Sequence, residues 1–428
     1  MTPGAGRRGL LSRIAVDTTA VGESPDLRRL ILGNFVTGLG TQAALVALPY
    51  QLYVQTKSAL LVGLLGAVEL GPLILMTLVG GAIADRMDRR KLLLLDQIAL
   101  VVLGAGLAAG ALIGHPPLAL LYVLGALLAG FSAIENIARS AIIPNLVRPA
   151  LLRSALALNF GLYQLTMVIG PGLGGLLIAA LGVGAAYTAD AVSCLAMVAA
   201  VVAMAPQPPQ GVPQRESVRR SVGEGLRFVR GEPALLGSFA IDLMAMTFGM
   251  PRALFAVLSL SVYHAGAAGT GVLYAAVSVG ATVAALTTGW LEHARWLGRI
   301  VIGAVLIWGV AIAATGLTTH LWIAAALLAV AGAADSVSAV CRATINQSVT
   351  PDALRGRMSS VFSLVVTSGP RLGDVEAGAV AALAGPRVSV ASGGLACVAG
   401  VGLIVLAFPA LAAYDGDRFA PTTEAVAS

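Results

Sequence analysis

Charge is what this chain has least of. Of its 428 residues only 11% are Asp, Glu, Lys or Arg, while 57% are hydrophobic. The mean hydropathy is +0.88. A soluble domain of this size would have too few charges to cover its surface, so a water-soluble globular fold is excluded. Cysteine is scarce as well. Cys194, Cys341 and Cys397 have no CxxC spacing, which supports neither a disulfide framework nor a zinc site. The four histidines, His115, His264, His293 and His320, stand singly at the ends of apolar runs. HExxH, GxSxG and Walker sequences are missing, so a hydrolase or an ATP-driven pump lacks its machinery, and no metal or cofactor is expected. Arg7-Arg8 is not followed by an uncharged apolar segment, so a cleaved or twin-arginine export signal is not expected. The formal net charge of +6 has the sign that nucleic acid attracts, but the basic residues fall in short loops between apolar runs. There they read as topology signals, and no nucleic-acid partner is expected.

What is present is a succession of apolar runs long enough to cross a bilayer. Windows of about 19 residues give twelve candidate spans. They cover approximately 29–53, 58–84, 91–113, 117–141, 155–180, 184–204, 234–262, 267–290, 298–318, 321–343, 359–384 and 388–412. The 51 glycines suit close helix–helix approach in lipid. Lys and Arg fall almost entirely in alternate connections. Five arginines precede span one, Arg86, Arg89, Arg90 and Lys91 follow span two, and five more follow span six, whereas the opposite loops hold only Lys57 and Arg387. By the positive-inside rule both termini are cytoplasmic and the chain is a multi-pass plasma-membrane protein.

The longest connection divides the chain. The expected layout is a cytoplasmic tail 1–28, a six-helix bundle 29–204, a cytoplasmic linker 205–233, a second six-helix bundle 234–412, and a cytoplasmic tail 413–428. Within the linker, Val218, Val222, Leu226 and Val229 share one helical face among arginines, which reads as an interfacial helix lying on anionic lipid. The halves also read as repeats. A shift of 203 residues lays 138–151 on 341–354 without a gap, placing Arg139 on Arg342 and Ala150-Leu151 on Ala353-Leu354. With a small change of offset, Gly170-Pro171-Gly-Leu-Gly174 falls on Gly369-Pro370-Arg-Leu-Gly373. Two related six-span halves are the layout of a rocking transporter.

Residues 81–91, reading GAIADRMDRRK between spans two and three, resemble the signature loop of the major facilitator superfamily. With the twelve spans and the duplication, the resemblance covers roughly 27–413. The chain looks most like the exporter branch that contains the enterobactin exporter and the macrolide efflux proteins. The stretches Ala138-Arg-x-Ala-x-x-Pro144, Gly170-Pro-x-x-Gly-Gly175, Glu224-Gly-Leu-Arg-Phe-Val-Arg230 and Thr350-Pro-Asp-x-Leu-Arg-Gly-Arg357 carry that likeness. The resemblance implies an all-α fold of two pseudo-symmetric six-helix bundles. It implies that Gly81 permits close packing and that Asp85 faces the start of span eleven near Arg357 to Ser359. It also implies that Arg86, Arg89 and Arg90 pair with acidic groups and lipid phosphates. Asp88 stands where many members have glycine. Gly170, Pro171, Gly174 and Gly175 resemble the core of the span-five motif of drug antiporters, although Ala157 and Thr166 replace its upstream glycines.

Ionisable residues inside spans are costly and face a cavity or one another. Glu69, Asp242 and Asp335 are the candidate proton carriers, because no basic residue of their own helix obviously neutralises them. The alternatives for each are a neutral structural acid or a partner for an arginine on another helix. Glu135 and Arg139, spaced i, i+4 in span four, read as a structural or gating ion pair. Arg371, Asp374 and Glu376 cluster in span eleven, Arg252 lies deep in span seven, and Asp96 and Asp190 read as structural acids near span ends. Met244, Met246, Phe248 and Met250 offer apolar surface, but residues two apart point to different sides of a helix, so they read mainly as packing.

The function these features support is transport, not catalysis: a proton-coupled exporter moving a bulky amphiphilic molecule, such as a siderophore or drug, by alternating access. Its partners are the small-molecule substrate, protons and the bilayer. A proton symporter of the same fold that imports solute, and a membrane sensor or scaffold without turnover, are the alternatives.

Overall fold

A computed structural model describes residues 19–84, 86–208, 218–351 and 354–415. Among these every regular element is helical. Ten helices are long and apolar enough to cross a membrane. Two further spans complete twelve: one is broken in its middle, Pro233–Phe248 followed by Leu254–Ser261, and the other is the charged helix Arg355–Ala384.

In chain order, spans one to six are Pro25–Thr56, Ala59–Ala84, Arg89–Leu112, Leu118–Leu146, Leu152–Leu181 and Val183–Val202. Span seven is the broken helix. Spans eight to twelve are Gly266–Thr287, Leu297–Leu317, Leu321–Val349, Arg355–Ala384 and Pro386–Ala407. Span one begins at Pro25, not at 29, and a short helix Thr19–Glu23 precedes it, so the N-terminal tail is shorter than expected. Local chemistry sets these limits. The Ser24 hydroxyl accepts the Leu27 N–H at 3.2 Å, Pro25 occupies the first turn, and Lys57 ends the span in the left-handed region at φ 54°.

Span seven departs most from the sequence reading, which made 234–262 one helix. Residues 249–253 are non-helical. Pro251 brings no N–H to the backbone ladder and Gly249 adds no helix-favouring side chain, so the helix stops at Phe248 and restarts at Leu254. Non-helical backbone is tolerated at membrane depth only where other groups satisfy it. Here Asp374 Oδ1 accepts the Ala253 N–H at 2.9 Å, and the Tyr274 hydroxyl donates to the Arg252 carbonyl at 3.0 Å.

The first six spans pack on one another, as do the last six. The halves meet mainly along spans two with eleven and five with eight. Those contacts lie toward the end that carries Lys57 and Arg387. Gly63 lies against Gly378, and Gly175 against Gly271, so closely that a Cβ built on Gly378 would stand 2.8 Å from the Gly63 Cα. Small residues let backbones touch where lipid gives no hydrophobic drive to association. One apolar cluster takes in residues of both halves, Ala43 and Leu48 with Met246 and Ala377, and runs on through the second half to Leu297 and Tyr414 at its basic-loop end. Toward the basic loops, the start of the N-terminal half has an apolar cluster of its own, around Leu27, Leu93 and Ile142.

The linker helix forms over Val218–Gly231. Its Val229 is buried with Leu235, Phe239, Met358 and Val361, so this part of its apolar face docks on spans seven and eleven, while Leu226 is exposed.

Candidate functional site

A cavity of about 650 Å³ lies between the halves near mid-depth. Spans one to six line it from one side, and spans seven, eight and eleven from the other. Most of its wall is apolar, with Leu45, Leu48, Leu65, Leu128 and Phe255 among the lining residues. Set into that wall are Gln42, Glu69, Glu135, Arg139, Tyr163, Asp190, Arg252, Tyr274, Arg371 and Asp374. A second cavity of about 380 Å³ shares Asn136, Arg139 and Tyr163 with the first and runs among spans one, four and five, where Asn34 donates to Asn159 at 3.1 Å.

The charges inside are paired across helices. Arg371 of span eleven meets Glu69 of span two, Nε to Oε2 at 2.9 Å, and so ties one half to the other. One turn further along span eleven, Asp374 holds the restart of span seven, as described above. The span-eleven cluster is therefore divided: Arg371 and Asp374 act at the cavity, whereas half-buried Glu376 pairs with neither of them. Glu135 and Arg139 form the expected pair at 3.1 Å. Arg252, placed on the cavity wall by the break in span seven, has no ion pair among the described residues.

Asp242 and Asp335 sit elsewhere. Both turn to Arg342 of span ten, at 2.9 Å and 3.6 Å, and neither lines the cavity. For Glu69 and Asp242 the alternative of an arginine on another helix applies, Arg371 and Arg342 respectively, whereas Asp335 faces Arg342 of its own helix, seven residues on, so the expected lack of a base there is corrected. Arg342 was legible through the repeat. It occupies the position of Arg139, while Ser338 occupies that of Glu135 and accepts from Arg342 at 3.1 Å. The carboxylate has moved off the i−4 position to another helix, and Arg342 follows it.

The signature loop is held differently from the resemblance. Asp85 lies outside the described residues, as do the side chains of 357 and 359. Gly81 faces open space, and the close approach is made by Gly80, whose Cβ would stand 3.1 Å from Ile137 of span four. Arg89 donates to the Ala141 carbonyl at 2.7 Å and to Asn145 at 3.1 Å. Arg90 donates to the carbonyls of Val201 and Val202 at 2.9 and 2.6 Å. These arginines cap the carbonyl ends of spans four and six, where helix dipoles favour a cation, in place of the acidic groups expected. Arg86 is exposed. Asp88 N-caps span three through Arg90 and Lys91 and also accepts the Gln207 N–H at 3.1 Å, so it fastens the start of the linker. The second half repeats the capping: Arg299 donates to the Ala412 carbonyl, and Arg295 pairs with Asp415 at 3.0 Å.

The span-five motif faces two ways. Gly170 and Gly174 leave room for Gln42 and Ala43 of span one, while Gly175 meets span eight. Pro171 lines the cavity between them. Of the span-seven apolar residues, Met246 and Met250 are buried in the core and Phe248 is partly exposed.

Most of the chain has relatives. Residues 24–424 match the transmembrane secretion effector family. The chain belongs to that family, a branch of the major facilitator superfamily. It is 30% identical over 384 residues to the enterobactin exporter EntS of Shigella boydii serotype 4 (strain Sb227), covering 89% of this chain and 91% of that protein. It is likewise 30% identical to EntS of Citrobacter koseri, covering 89% and 90%. The fold of this transmembrane secretion effector is similar to that of the nucleoside transporter NupG, with a TM-score of 0.75 at 10% identity over 90% of this chain and 99% of NupG. It is also similar to a bacterial homologue of the iron transporter ferroportin in its inward-facing state, at 0.69 and 17% identity over 91% and 98%. These relatives are membrane transporters. An enzyme is thereby set aside, and a multi-pass inner-membrane transporter stands.

Proposed function

We propose that this protein is a proton-coupled antiporter that exports a bulky amphiphilic small molecule by alternating access. The observation that carries it is the cavity: about 650 Å³, mostly apolar, and walled by both halves. It is pinched off toward the Lys57 end by the glycine contacts of spans two with eleven and five with eight. A cavity of this size takes a drug-sized ligand. The mixture of arginine, carboxylate and tyrosine favours a ligand with polar or charged groups on an apolar body, and enterobactin, named for the relatives, is a candidate of that kind.

In this reading both termini and the basic loops face the cytoplasm, so the described conformation is open inward. The bundles 29–204 and 234–412 rock about the linker 205–233, with Gly170, Pro171, Gly174 and Gly175 as part of the pivot. Glu69–Arg371 is the gate that must part when the outer side opens. Asp374 and Glu135–Arg139 shape the cavity, and Arg252, without an ion pair among the described residues, meets an anionic part of the substrate. Arg89 and Arg90 stabilise the inner ends of the first bundle, and Asp242, Asp335 and Arg342 do the same inside the second. The membrane potential supplies about 2.3 kcal/mol per charge per 100 mV to such a cycle.

Reconstitution in liposomes with an imposed pH gradient tests this. Enterobactin and a panel of hydrophobic drugs are added, and proton flux is followed with an entrapped pH dye. Substrate-dependent flux in the antiport sense is expected. Flux in the symport sense identifies an importer, and its absence with every ligand identifies a protein that does not transport them.

A further inference from the structure

Asp96 lies in span three at 2% exposure, and neither of its carboxylate oxygens has a hydrogen-bond partner. Gln97 beside it is fully buried, and its side-chain polar atoms are equally unpartnered. The helices packed most closely on span three are spans four and six. Span four brings Glu135 and Arg139 within electrostatic range of Asp96. Span six brings Asp190, which faces Glu135, and the Cys194 thiol, which lies near all three acids. Span two, in lighter contact, brings no charged group to Asp96.

Asp96 and Asp190 thus both lie within range of Glu135, and Arg139 is the guanidinium that serves Glu135 and Asp96, an excess of two negative charges if all three acids were ionised. Arg139 is engaged with Glu135 at 3.1 Å, and Asp190 accepts the Thr41 hydroxyl at 3.2 Å. Asp96 has no ion pair of its own among the described residues, and the Arg139 within its electrostatic range is already engaged. A buried carboxylate in that position is among the least tolerable groups in a protein, whereas its neutral acid form is easily accommodated. We propose that Asp96, Glu135 and Asp190 form a proton-binding site around Arg139, and that Asp96 carries the bound proton in this conformation.

The placement gives the proton a route. Glu135, Arg139 and Asp190 line the cavity, and Asp96 lies behind them. Release breaks the Asp96 O–H bond. The proton leaves by way of Glu135 or Asp190 to cavity water, and the carboxylate left behind turns to Arg139. Glu69, Asp242 and Asp335, by contrast, each face an arginine directly, Arg371 for the first and Arg342 for the other two. The role of this site in coupling rests on the proposed antiport; its binding of a proton does not.

Infrared titration of the full chain in nanodiscs, with protons as the probe, reads protonated carboxyl groups without any substrate. Asp96→Asn keeps the shape of the neutral acid. It is expected to lose one protonated-carboxyl band at neutral pH and to melt no lower than the wild type. Glu135→Gln releases Arg139 to Asp96, so the same band is expected to vanish as Asp96 ionises. A band that survives Asp96→Asn overturns the proposal, as does a markedly lower melting temperature for that variant. So does a Glu135→Gln protein whose Asp96 band is undiminished. Transport that fails in liposomes while the band behaves as described removes the antiport reading and leaves this site standing. Antiport without the band removes the site alone.

Discussion

Crowding the glycine contacts between the halves should drive the protein out of the conformation described. A Cβ at Gly271 would stand 2.5 Å from the Pro171 carbonyl oxygen, and one at Gly378 would stand 2.8 Å from the Ala59 oxygen and the Gly63 Cα. These obstacles are backbone atoms, which cannot turn aside as a flexible side chain can. Overpacking of this kind costs about 1–3 kcal/mol. The cost falls only on the state in which the Lys57 ends are together, because both contacts cross between halves that must separate there. A differential of 1–3 kcal/mol shifts a two-state equilibrium roughly 5- to 150-fold for each substitution. The assay is pulsed electron–electron distance measurement in nanodiscs, with spin labels at exposed His115 and His320. The three native cysteines are buried, which favours selective labelling. Gly271→Ala and Gly378→Ala should each move population to longer His115–His320 distances, and a pair at Arg153 and Thr287 on the opposite end should shorten. Gly303→Ala, where a Cβ meets nothing within 4 Å, is the control. Unchanged distances in a folded Gly271→Ala protein, or an equal shift in the control, would refute the reasoning.

Other consequences follow from the ion pairs and caps. Glu69→Gln leaves Arg371 near mid-membrane with only Asp374 beside it and should lower stability toward the smaller end of about 3–5 kcal/mol, with Arg371→Gln in the same chain recovering part of it, as thermal melts of the single and double variants would reveal. Arg342→Met strands the almost fully buried Asp242 and should cost about 3–5 kcal/mol, whereas Asp242→Asn should cost less; equal losses would speak against the pairing. Asp88→Ala removes the cap of span three and the hold on Gln207, for about 1 kcal/mol and faster proteolysis of the linker; unaltered proteolysis would show that the linker is fastened elsewhere.

Much of the architecture was legible because lipid imposes a simple rule. Each crossing needs a long apolar helix, and alternate loops collect arginine. The break in span seven was missed because hydropathy is blind to it: Gly249, Met250 and Pro251 are as apolar as their neighbours, and only backbone chemistry distinguishes them. The charged residues were found one by one, but their partners were not. Glu69 with Arg371 and Asp242 with Arg342 join positions far apart in the chain. A helical-face argument reaches only i, i+3 and i, i+4 neighbours, and so it found Glu135 with Arg139 and nothing else. The repeat bears on Arg342 too, since the 203-residue shift places it on Arg139. Arg89 and Arg90 were read as seekers of acid, but free helix-end carbonyls were nearer.

Alternating access itself is tested most directly by asking from which face the cavity can be reached. A cysteine replacing Tyr163, on the cavity wall, is challenged with a membrane-impermeant thiol reagent in inside-out and right-side-out vesicles. The account predicts fast labelling from the basic-loop face and protection from the Lys57 face, with the preference inverted when Gly271→Ala and Gly378→Ala are combined. Equal labelling from both faces, or a preference that the double substitution leaves unmoved, would contradict it.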